Sequence, residues 1–249
     1  MNSSELIERY LDLMVSEGFY RFKGSLKSYL NYLFKDISFV DKSVLDVGGG
    51  SGLFSLYARC MGTQPVICLE PESSGSTKGA SSKLRQYADR LNLDNIYLEA
   101  STLQNYEPGG VSFDIILLHN SINHLSEEAC NNLKVSAEAR KEYEAIFAKM
   151  SQVAKPGAKL IITDCSRYNF FALLRLKNPL APNINWHKHQ SPKLWCSMLK
   201  DAGFINPHIR WGFFPRLGII DKYLLGNHLA SFFLTSHFCL VMEKCQESA

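Results

Sequence analysis

Asp46, Gly48, Gly49, Gly50 and Gly52 fall close together in SVLDVGGGSG, after an apolar run and before LFSLYARC. A glycine-rich turn between a strand and a helix lets a ligand lie against the backbone without meeting a Cβ. It also presents the free amides of the helix start. Two phosphate-binding patterns fail here. Counting from Gly48 or Gly49 gives no G-x-x-x-x-G-K-[ST], and no lysine follows. The dinucleotide pattern G-x-G-x-x-G, begun at Gly48 and Gly50, meets Leu53 at its last glycine position. D-x-G-x-G-x-G is satisfied in full by Asp46, Gly48, Gly50 and Gly52. Asp46 is placed to anchor the amides of the turn or to reach a cationic ligand group. Glu70 closes the next apolar run, VICLE, and a carboxylate there can accept hydrogen bonds from both hydroxyls of a ribose.

Proton-transfer candidates lie further on. His124 follows the run FDIILL by a few residues, and His187 and His189 stand in NINWHKHQSP. Each side chain titrates near neutrality when unperturbed and can act as a general base. His124 reads as readily as a capping or packing residue. The H-x-H pair would need further ligands to hold a metal, and no carboxylate lies nearby in sequence, so no metal is expected.

These residues need a scaffold. The runs SVLDV, VICLE, IYLEA, FDIILL and AKLIITDC alternate with helical patterns, and PHIRWGFF and SFFLTSHFCLVMEK read as two final strands. Alternation of this kind predicts a mostly parallel sheet with helices on both faces. In SPKLWCSMLKDAGF, Ser191 is a natural helix cap and Pro192 suits the first helical position. Residues 1–38 show helical spacing at Leu26, Tyr29, Leu30, Leu33, Phe34 and Ile37, which suggests an N-terminal helical cap before a domain spanning 39–249. An insertion at about 166–190 is too long for a plain connection and reads as a further part of that cap.

Seven strands in this order, with the Asp46-to-Gly52 turn and Glu70, resemble the class I S-adenosylmethionine-dependent methyltransferase family, small-molecule type. The resemblance implies a Rossmann-like, seven-stranded sheet with an antiparallel last strand, and S-adenosyl-L-methionine as cofactor. It implies cofactor contacts from Asp46, Gly48, Gly49, Gly50, Glu70 and Pro71. Ser101 and Thr102 stand in EASTLQ, where the family often has an acid near the adenine, and His119 and Asn120 fall where it contacts the methionine portion. The activity implied is transfer of a methyl group to a small or carrier-bound acceptor, at oxygen, with a histidine as base. Transfer to nitrogen or carbon, and a non-catalytic partner that keeps the cofactor, are the alternatives.

Composition narrows the partners. The net charge of +3 is too small for a general nucleic-acid binder, and HNSINH lacks the proline pair and aromatic that base-amine methylation uses. From Ser166 to Lys222, however, nine bases face only Asp201 and Asp221, which suggests an anionic acceptor or surface. Trp186, Trp195, Trp211, Phe170, Phe171, Phe213 and Phe214 enrich the same half in aromatics, as core or as an apolar cavity. NFFALLRLKNPL is amphipathic enough to meet a membrane, a reading secondary to core packing. The seven scattered cysteines, with no C-x-x-C pair, fit reduced thiols, and the acidic start MNSSELIERYLDLM is no secretory signal. A cytoplasmic enzyme is expected.

Overall fold

A computed structural model describes residues 3–71, 79–212 and 227–246. Phe213, Phe214, Arg216, Asp221 and Lys222 lie outside the described residues. Two compact units divide the chain, Met1–Leu118 and His119–Ala249.

The first unit begins with helices α1 (Ser3–Ser16) and α2 (Lys23–Leu33), followed by β1 (Val44–Val47), α3 (Leu53–Cys60), β2 (Val66–Leu69), α4 (Ala80–Leu91), β3 (Ile96–Glu99) and β4 (Phe113–His119). All four residues of β1 are buried, as expected of a short apolar strand covered on both faces. Its parallel registers put Val47 beside Leu69, and Leu69 beside Glu99. The carboxyl ends of β1, β2 and β3 are therefore level, and the residues after them emerge together. The N-terminal helices steady α3. The buried Tyr10 hydroxyl donates to the Leu53 carbonyl at 2.9 Å, and Phe34 stacks on Tyr57 with ring centroids 5.4 Å apart. An aromatic pair of this kind is worth about 0.5–1.5 kcal/mol beyond its buried area.

The other unit contains α5 (Glu127–Asn132), α6 (Ala137–Val153), β5 (Ala154–Cys165), α7 (Phe170–Leu173), α8 (Pro192–Asp201), β6 (Phe204–Trp211), α9 (His228–Phe233) and β7 (His237–Lys244), with 3-10 turns at Ile122–His124 and Trp186–Lys188. The helix starts obey local chemistry. Ser126, Ser136 and Ser191 each accept an amide three residues on, and Pro192 opens α8. Trp195, fully buried, packs against Tyr143 and Phe147, so that tryptophan is core. β7 runs antiparallel to both β5 and β6. The strand order is β3-β2-β1-β4-β5-β7-β6, the Rossmann-like, mostly parallel arrangement with an antiparallel last strand.

One expected strand is shorter than the sequence suggests. SFFLTSHFCLVMEK is extended only from His237; Ser231 to Phe233 belong to α9. Asn227 caps that helix through the Ala230 amide at 2.9 Å, and Ser236, at φ +49°, closes the following turn on the Ser231 carbonyl at 2.7 Å. Two polar caps outweigh the apolar run between them.

Candidate active site

The glycine turn leaves β1 with tight backbone geometry. Gly48 and Gly49 donate to the Leu69 carbonyl at 2.8 and 3.2 Å, tying the turn to the end of β2. Gly49 and Gly50 are glycines for different reasons. A Cβ on Gly49 would meet Cys68 Sγ at 2.5 Å and Asp46 Oδ2 at 2.7 Å. On Gly50, at φ +56°, it would meet nothing within 4 Å among the described residues. The protein's own side chains crowd Gly49, whereas no described residue crowds Gly50.

Two carboxylates border that turn. Asp46 is fully buried and its Oδ2 accepts from Ser55 Oγ at 2.6 Å. Its Oδ1 is buried with no hydrogen-bond partner among the described residues. Burial pushes the Asp46 carboxyl up to about 6, opposed by the Ser55 hydrogen bond and reinforced by the negative charge of Glu70. Glu70, 4% exposed, accepts the Gly50 amide at 2.9 Å through Oε2. Pro71 follows it at the surface. Just beyond β3, Ser101 donates from its hydroxyl to the Thr102 carbonyl at 3.1 Å, and Thr102 Oγ1 accepts the Asn105 amide at 3.3 Å. Ser101 and Thr102 are partly exposed.

The remaining candidates lie in the unit that begins at His119. His119 ends β4, where burial and the neighbouring His237 push its imidazole down to about 3, so the ring is neutral at neutral pH. Asn120 follows at φ +54°, donating its amide to the Thr163 carbonyl at 2.9 Å. The three histidines considered as bases differ in surroundings. His124 is exposed and joins Glu127 at 2.7 Å, which also holds Lys188 at 2.8 Å. His187 is exposed, its amide capped by Asn185. His189 Nδ1 lies 2.7 Å from Asp164 Oδ1, with side chains 16% and 1% exposed. A carboxylate at that distance holds Nδ1 protonated and leaves Nε2 as the acceptor. Next in sequence, the buried Gln190 donates to the Cys130 carbonyl at 2.6 Å and accepts from Arg167 at 3.2 Å.

Ser55, bonded to Asp46 in the first unit, and Asp164, bonded to His189 in the other, are found only through the structure. Ser55 gives no signal of its own, since a serine inside LFSLYARC reads as an ordinary helical residue. Asp164 does carry one: an acid inside the apolar run LIITDC demands a partner. No group of three or more His, Cys, Asp or Glu side chains is arranged to hold a metal among the described residues.

The glycine turn and its carboxylates suit a ligand that offers hydroxyl or ammonium donors. Among the described residues Asp46 Oδ1 lacks a partner, and no atom lies within 4 Å of where a Gly50 Cβ would stand. Known proteins point the same way. A family model described as a methyltransferase domain matches residues 19–208. No curated protein matches the chain. Among solved structures, an S-adenosylmethionine-dependent methyltransferase from Mesorhizobium loti is 14% identical, with TM-score 0.59 over 88% of this chain and 98% of that one. Magnesium protoporphyrin IX methyltransferase from Synechocystis PCC 6803, with bound S-adenosylmethionine, is 12% identical, with TM-score 0.52 over 88% and 78%. The N-methyltransferase NodS from Bradyrhizobium japonicum WM9 is 10% identical, with TM-score 0.54 over 88% and 94%.

Proposed function

The chain belongs to the methyltransferase-domain family, and from that premise we propose that it moves a methyl group from S-adenosylmethionine to a hydroxyl of a small or carrier-bound acceptor. The observation behind this reading is the Glu70–Gly50 contact, which sets an acid and an open glycine side by side at the ends of adjacent strands. Glu70 takes the ribose hydroxyls while keeping the Gly50 amide. Asp46, through its unpartnered Oδ1, receives the ammonium of the methionine portion directly or through water. Gly48, Gly49, Pro71, Ser101, Thr102, His119 and Asn120 complete the proposed contacts. When bound, S-adenosylmethionine supplies a methyl group on a positively charged sulfur, electrophilic without help from the protein.

What remains is positioning, exclusion of water and proton removal. An alcohol needs a base as it attacks, whereas a carboxylate does not. His189 is the base in this reading: Nε2 takes the acceptor proton while Asp164 stabilises the imidazolium that forms. His124 and His187, both exposed, bind or orient the acceptor, and the surplus of bases in 166–200 favours an anionic one. The similar solved structures are named for different acceptors, so the choice of hydroxyl rests on the His189–Asp164 pair alone.

Calorimetric titration with S-adenosylmethionine, its demethylated product and NAD tests the cofactor assignment. Micromolar binding of the first two and none of NAD is expected; binding of NAD alone overturns it. Methyl transfer into metabolite pools then tests the activity. Cofactor binding without transfer to any pool would favour a non-catalytic partner.

A further inference from the structure

The segment after β5 contains an apolar surface held out from its unit. Leu173, Leu174, Leu176, Leu180, Leu229 and Phe233 are each between 45 and 67% exposed. They come from two stretches fixed to one another. Phe170 of α7 packs against Phe233 of α9 with ring centroids 5.0 Å apart. Beneath them, the buried Asn169 donates to the carbonyls of Phe232 and Leu234 at 3.1 and 3.0 Å, and the buried Asn178 donates to Leu234 at 2.6 Å. Between these asparagines Leu174 donates to the Phe170 carbonyl at 3.2 Å and Leu176 to the Phe171 carbonyl at 2.8 Å. The leucines are exposed on a loop pinned by these hydrogen bonds, and exposed apolar side chains gathered on one segment mark interaction sites.

Charge identifies the occupant. Residues 166–187 contain Arg167, Arg175 and Lys177 and no acid, and 227–236 contain no acid either. Arg175 and Lys177 alternate with the exposed leucines, and both are exposed themselves. At the rim, Tyr168 is half-exposed, with Lys134 bonded to its hydroxyl at 2.7 Å. Leucines that enter the acyl boundary, basic side chains among them and a tyrosine at the margin match a lipid interface with anionic headgroups. A second copy of the chain fits poorly, because a symmetric contact would bring the same positive charges together. We propose that this loop and α9 dock the protein on the surface of an anionic membrane, leaving the methyltransferase fold in water.

Co-sedimentation of the full chain with phosphatidylcholine vesicles, with and without about 30% phosphatidylglycerol, is the test. Binding to the anionic vesicles is expected, weakened by salt, and at least about tenfold weaker on neutral ones. Leu173→Asp with Leu176→Asp should abolish binding with an unchanged melting temperature, because both side chains are exposed. Arg175→Glu with Lys177→Glu should weaken it by about tenfold or more. No binding to anionic vesicles overturns the proposal, and so does binding that survives the leucine substitutions. A dimer in sedimentation that the leucine pair disrupts, without vesicle binding, would assign the surface to a second copy instead.

Discussion

Glu70 Oε2 accepts the Gly50 amide at 2.9 Å, so the acid at the end of β2 also shapes the turn after β1. Two functions in one carboxylate can be separated. Glu70→Gln keeps an oxygen for the Gly50 amide but removes the charge that strengthens hydrogen bonds from ribose hydroxyls. A hydrogen bond to a charged group contributes about 1.5–3 kcal/mol. S-adenosylmethionine affinity should therefore fall about 10- to 100-fold in Glu70→Gln, with little change in melting temperature. Glu70→Ala should lose as much affinity and also some stability, since the Gly50 amide loses its partner. Calorimetry and thermal melts on the two variants read the difference. Equal affinity in Glu70→Gln and wild type would remove Glu70 from the ribose.

Gly49 and Gly50 should respond in opposite ways to the same methyl group. Gly49→Ala drives a Cβ into Cys68 and Asp46, and overpacking of that kind costs about 1–3 kcal/mol. Gly50→Ala meets no atom of the described residues and costs the left-handed backbone strain, about 1–2 kcal/mol. Its Cβ enters the space assigned to the nucleoside, so Gly50→Ala should lose more affinity than stability, and Gly50→Val should lose binding outright. An intact affinity in Gly50→Val would move the ligand elsewhere.

Asp46 should make the protein more stable as the pH falls from about 6 toward 4. Its folded carboxyl titrates near 6 against an ordinary 3.8, so the folded state holds the proton more tightly than the unfolded one. The stabilisation is fully present below the ordinary value and is lost as pH rises through 6. One pKa step is about 1.4 kcal/mol, which makes the whole effect about 3 kcal/mol. Asp46→Asn should flatten this part of the pH–stability curve and raise the melting temperature at pH 7, while weakening cofactor binding. Urea melts between pH 4 and 7 measure it. A curve no flatter in Asp46→Asn than in wild type would mean that the carboxylate is not ionised against a cost.

The strands and the glycine turn are legible in the sequence because each leaves a local mark. Short apolar runs such as VLDV and VICL mark buried parallel strands, and D-x-G-x-G-x-G names its own turn. The contrast between Gly49 and Gly50 is not legible, since it depends on Cys68 reaching the turn from the neighbouring strand. Asp164 and His189 are 25 residues apart, and no spacing rule joins them. The last strand departs from expectation for a physical reason. Helical and extended readings of SFFLTS differ little in hydrophobic pattern, and Asn227 and Ser236 decide between them through hydrogen bonds. Surface properties are the least visible: by pattern alone, the leucines of NFFALLRLKNPL suit a core equally well.

His189 and Asp164 should act on turnover and leave cofactor binding alone. If His189 takes the acceptor proton, His189→Gln should lower kcat by about 10²- to 10⁴-fold. S-adenosylmethionine affinity by calorimetry should be unchanged. Asp164→Asn leaves His189 without the carboxylate that fixes its tautomer, and should lower kcat in the same direction with KM for the acceptor little altered. A merely structural role would lower stability and all parameters together. The decisive comparison varies the acceptor. Once a turned-over hydroxyl is known, analogues with progressively more acidic hydroxyls need progressively less help from a base. The deficit of His189→Gln should shrink along that series and vanish for an acceptor already ionised at the assay pH. A deficit that stays constant along the series would mean that His189 positions the acceptor and does not take its proton.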